Sequence, residues 1–129
     1  MHYLPEKSAA DSLVARYWVA VHPIVRVVHR PSFERQYDLL WKDFQSGDQP
    51  PNSFQALVLA VMLSAVLSLP DGDVLSQFGV PQSSLVASFM RGTEAALARA
   101  NFLRTTKLET LQAFVAYLVW TLPASRRIS

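Results

Sequence analysis

The stretch from Ser53 to Pro70 constrains this chain more than any other, because it carries no charged side chain and is apolar almost all round. A helix with hydrophobic residues on every face has to be surrounded, either by other helices or by lipid. From Phe54 to Leu69 it would be roughly 24 Å long at ~1.5 Å per residue, short of the ~30 Å hydrocarbon core of a bilayer. Gln55, Ser64 and Ser68 interrupt it, and no Lys or Arg lies close to either end. The preferred reading is a central core helix with other helices packed about it.

The rest of the chain supplies enough material for that packing. Half of its 129 residues are apolar and 17% are charged, a balance that collapses around one core rather than staying disordered. The positive mean hydropathy points to apolar faces meant for further chain or for a partner. Net charge is +2 with the basic residues scattered, and the nearest approach to a cluster is Arg126-Arg127, so no electrostatic footprint for nucleic acid is present. With no cysteine there is no disulfide, no thiolate zinc site and no cysteine nucleophile, which fits a reducing compartment. The residues from Met1 to Lys7 lack the basic-then-apolar layout of a signal peptide.

Helical periodicity recurs along the chain and strand alternation does not, so the expected fold class is all-α, about five helices in an incomplete bundle. The first helix is expected after Ser8, with Ser8 and Asp11 as a capping box and Leu13, Tyr17 and Val21 on one face, ending or bending at Pro23. A short apolar connector, Ile24 to Val28, leads to a second helix from Ser32 or Phe33. Its stripe is Phe33, Tyr37, Leu40, Trp41 and Phe44, closed by Gly47 and Pro50-Pro51. The acidic and bulky run from Tyr37 to Phe44 has the composition of an activation motif, but a core-facing stripe explains the same residues. The central helix runs from about Ser53 to Leu69, and Val74 to Val80 is ambiguous between a short helix and a loop. The fourth helix spans about Ser84 to Ala100, with Leu85, Phe89, Ala96, Leu97 and Ala100 inward; a fifth starts at Thr106 with an inner face of Leu108, Leu111, Val115, Leu118 and Val119. The inner faces of helices three to five are expected to lack cover, making the isolated chain prone to oligomerise or to bind hydrophobic dye.

Little in the sequence points to catalysis. The three histidines, His2, His22 and His29, form no i, i+4 pair and have no carboxylate cluster beside them, so capping or hydrogen bonding is the expected role and metal binding is not. Glu94 and Glu109 fall on separate helices rather than in one acid–base cleft. Gly-x-Ser-x-Gly is absent, and four glycines supply no phosphate-cradling loop. The expectation is a non-enzyme with no cofactor of its own.

Three features in series carry a resemblance. His22-Pro23 is followed by His29-Arg30-Pro31-Ser32-Phe33; Ala95 to Ala100 comes later, and then Lys107-Leu108-Glu109-Thr110-Leu111-Gln112-Ala113 opens a helix. From about Ser12 to Leu122 the chain resembles the fungal-specific transcription factor domain, the middle homology region of fungal binuclear zinc-cluster transcription factors. The resemblance implies regulation of transcription in the nucleus, often by dimers, through a helical region that modulates activity in response to metabolites or partners. It also implies zinc and DNA binding for the family through a separate six-cysteine cluster, which a chain without cysteine does not hold; DNA would be reached only indirectly. The implied partners are other proteins, the remainder of the regulatory domain or a second copy, with no membrane. The expected layout is a tail over 1–8, a partial regulatory domain over 9–122, read as a truncated product, and a tail over 123–129.

The signature residues His22, Pro23, His29, Arg30, Pro31, Ser32, Phe33, Leu108, Thr110, Leu111 and Gln112 are expected to be structural. Pro31 has a fixed φ and no N–H, which suits a first helical turn. Ser32 is expected to cap, Phe33 to anchor the stripe, and His29 and Arg30 to reach the exposed carbonyls at the end of helix one, forming a helix–helix corner. The alternative from another class is a small helical scaffold or membrane-associated protein built around helix 54–69.

Overall fold

The computed structural model of the chain describes residues 5–23 and 28–99. Among these residues every regular element is helical and none is a strand: α1 (Lys7–Arg16), a π-helical turn (Tyr17–Val21), α2 (Arg30–Gln45), α3 (Asn52–Leu67), α4 (Asp71–Phe78) and α5 (Gln82–Arg99). The fold class is all-α. The helix expected from Thr106, with Leu108 and Leu111 on its inner face, lies outside the described residues, as does the connector over 24–27.

α3 is the axis. Every residue from Ser53 to Val66 is buried, so the helix has no outward face and needs none. Its small residues Ala56, Ala60 and Ser64 recur every fourth position, and α5 brings the buried Gly92, Thr93 and Ala96. Small side chains let backbones approach closely, and α3 and α5 form the most extensive helix–helix contact. The hydroxyls on this pair are satisfied within their own helices: Ser64 donates to the Ala60 carbonyl (2.9 Å) and Thr93 to the Phe89 carbonyl (2.7 Å). α3 is therefore enclosed, contrary to the expectation that its inner face lacks cover; α1, the π turn and α5 all pack on it. At the rim of α5, Leu85, expected to be core, is only half-buried. No single described helix is long and apolar enough to cross a membrane.

The first helix starts two residues earlier than expected, at Lys7, and without the capping box. Ser8 donates to the Glu6 carboxylate (3.1 Å), while Asp11 is drawn away by Lys7 (3.0 Å) and by the Tyr37 hydroxyl. The helix then widens. The His22 N–H reaches back five residues to the Tyr17 carbonyl at 2.9 Å, the bond of a π turn, just before Pro23 removes the next donor. Tyr17, Trp18 and Val21 on this turn are all buried.

The remaining boundaries have local causes. Arg16 donates to the Ser68 hydroxyl (3.0 Å) and carbonyl (2.8 Å), placing a cation at the negative end of α3. Gln82 ties the same end to α5 by donating to the Val66 and Leu69 carbonyls. The ambiguous stretch Val74 to Val80 is helical as far as Phe78: it belongs to α4, with Asp71 and Asp73 in its first turn and a left-handed Gly79 (φ 76°) after its last.

Candidate functional site

Of the residues that carry the resemblance, His22, Pro23 and His29 to Phe33 lie where α2 meets the π turn and α3. Pro31 occupies the first turn of α2, where its missing N–H leaves no bond unmade, and the helix begins at Arg30 rather than at Ser32 or Phe33. Ser32 consequently lies inside the helix and does not cap it. His29 holds the capping position, and its ring Nδ1 is 2.8 Å from the Ser32 hydroxyl.

Phe33 anchors the corner. It is buried, and its ring meets Trp18 edge-on at 5.6 Å, Phe54 at 5.4 Å and Tyr37 in a stack at 5.8 Å. One ring thus touches the π turn, α3 and the next turn of its own helix. The aromatic run continues from Tyr37 to Trp41 (6.1 Å) and on to Phe44 (5.9 Å). On the α1 side, His22 packs edge-on against Trp18 at 5.0 Å and lies 6.1 Å from Tyr17. Edge-to-face geometry is what ring quadrupoles favour, at about 0.5–1.5 kcal/mol per pair beyond area burial.

Arg30 and His29 do not reach the carbonyls at the end of helix one, where the sequence places them. The π turn already bonds the Tyr17 carbonyl to the His22 N–H. Arg30 instead lies over the Trp18 ring, 4.9 Å from its centroid, and donates to Glu34 (3.1 Å). The corner is closed by a cation over a ring. Pro23 marks the exposed turn that precedes it. Leu108, Thr110, Leu111 and Gln112 lie outside the described residues.

Outside the corner's aromatic floor is a cleft of about 410 Å³ between α1 and α2, bordered by Asp11, Trp18, Arg30, Glu34, Tyr37 and Asp38. Its polar groups are largely engaged with one another. The Tyr37 hydroxyl donates to Asp11 at 2.7 Å; burial, and then that carboxylate, hold the phenol well above its ordinary range. Burial alone pushes Tyr17 up to about 12. Among the described residues no group of three or more His, Asp or Glu side chains is placed to hold a metal ion. Sequence reasoning missed Trp18 as the receiver of Arg30 and Asp11 as the partner of Tyr37, since contacts between helices leave no periodic trace.

A corner built of edge-on and stacked rings, a stacked arginine and engaged acids holds helices together. Residues 14–129 match the family described as the fungal specific transcription factor domain. This chain belongs to that family. Among its relatives are the aurofusarin cluster transcription factor aurR2 of Gibberella zeae, 39% identical over 77% of this chain and 14% of the relative, and the C6 finger domain transcription factor hasF of Aspergillus fumigatus, 33% identical over 87% and 17%. A transcriptional regulatory protein of Schizosaccharomyces pombe, C139.03, is 30% identical over 88% of this chain and 18% of its own length. The chain thus spans less than a fifth of the curated relatives it matches. No solved structure matches it. C6 finger factors bind zinc through cysteines, and this member of the domain family has none.

Proposed function

We propose that the chain is a regulatory, protein-contacting segment acting in transcription in the nucleus, with residues 9–122 as its portion of the regulatory domain. The observation that carries this reading is the family match over residues 14–129. Its packing agrees: the signature cluster is a helix junction and not a constellation of reactive groups. The contacts it makes are with other proteins, with further parts of the regulatory domain or with a second copy. These residues, without cysteine, hold no thiolate zinc site, so DNA is reached only indirectly, through the family's zinc cluster. A helix whose residues from Ser53 to Val66 are all buried favours this over the membrane-associated alternative.

The test is to tether the chain to a heterologous DNA-binding module in a fungal cell and read a reporter. Output should differ from that of the module alone, and Phe33→Ala should abolish the difference by opening the corner. Output equal to the module alone, with the fusion present at normal abundance, would overturn the proposal.

A further inference from the structure

We propose that the hollow between α2 and the loop before α3 is a binding site for a small organic cation, a protonated amine carried on an apolar body. The hollow has a volume of about 420 Å³, within the roughly 300–1,000 Å³ typical of small-molecule sites. Most of its lining is apolar: Leu39 and Leu40 from α2 face Pro50, Pro51 and Phe54. Leu39 is 50% exposed and borders the space.

The wall opposite α2 is preformed. Gln55 is buried, and its side-chain amide donates to the Pro50 carbonyl at 2.8 Å while its backbone N–H donates to the Pro51 carbonyl at 3.0 Å. Phe54 is held against Phe33. Proline nitrogens carry no hydrogen, so the diproline presents no N–H to attract an anion.

The charge comes from Asp43. Gln36, Leu39, Leu40 and Asp43 follow i, i+3, i+4, i+7 and share one face of α2. Asp11 and Glu34 accept from basic side chains and Asp71 from the Gln82 backbone N–H, whereas nothing among the described residues donates to the carboxylate of Asp43, the half-buried acid that lines this hollow. A carboxylate at an apolar wall gains most from a ligand that brings both opposite charge and donors. The neutral amide of Gln36 lines the same hollow as a second polar contact. The site is independent of the transcriptional role and stands or falls without it.

Calorimetric titration of the full chain with tryptamine, its neutral isostere tryptophol and the anion indole-3-acetate tests this. Tryptamine should bind about two- to fivefold more tightly than tryptophol, the range of a partly exposed ion pair, and indole-3-acetate weakest. Asp43→Asn should bring tryptamine to the level of tryptophol and leave tryptophol unchanged. Leu39→Trp, which fills the hollow from its border, should remove binding of both. Equal affinity for amine and alcohol in the unaltered chain overturns the proposal whatever the variants do. So does absence of binding at millimolar ligand, or an amine preference that survives in folded Asp43→Asn.

Discussion

Tyr17 and Tyr37 belong to one aromatic run, yet their hydroxyls are in opposite circumstances. That of Tyr37 donates to Asp11, whereas that of Tyr17 is buried with no partner among the described residues. Tyr37→Phe should therefore lower stability by about 1–2 kcal/mol, and Tyr17→Phe should be neutral or stabilising, because it removes an unmatched polar atom. Urea melts distinguish the two. Both phenols are raised by burial, Tyr17 from 10.0 to about 12. The unfolded chain then loses these protons first, so stability is full below pH 10 and falls as pH rises towards about 12. Melts across that window should show the fall, and Tyr17→Phe should make it shallower. Arg30 offers a smaller effect: its side chain is 54% exposed, so Arg30→Ala should cost about 0.5–1 kcal/mol, mostly through the lost contact with Trp18. None of these pairings was legible in the sequence. Tyr37 and Asp11 are 26 positions apart on different helices, and spacing along one helix says nothing about which neighbour it meets.

At the scale of elements the sequence was far more informative, because burial imposes its period directly. The stripe Phe33, Tyr37, Leu40 and the charge-free, mostly apolar α3 are readable as written, and both form the helices expected of them. Boundaries were harder. Ser8 and Asp11 have capping-box spacing, but Lys7 and Tyr37 compete for the same carboxylate and win it. Pro23 announced a bend without revealing that a π turn would precede it. Two substitutions probe this level. Ala60→Leu, at a fully buried position of the helix that α5 approaches closely, should destabilise by about 1–3 kcal/mol through overpacking. Gly79→Ala should cost about 1 kcal/mol although space is open around it, because the left-handed φ of 76° strains any side chain there. Denaturation midpoints report both.

Across the whole molecule, one enclosed helix is held by two different kinds of contact: close backbones with α5, and long aromatic side chains from the corner. His22 and His29 to Phe33 lie at the second. That corner fixes how α2 sits against the π turn and α3. Phe33 is the ring common to all three elements, and Phe33→Ala should cost about 3–5 kcal/mol. The most direct measurement is native-state amide hydrogen exchange on the chain with and without Phe33→Ala. Protection of α3 should fall together with that of α1 and α2, since the corner and the axis open as one unit. Loss confined to α2, with α3 protected as before, would contradict a corner that holds the axis in place.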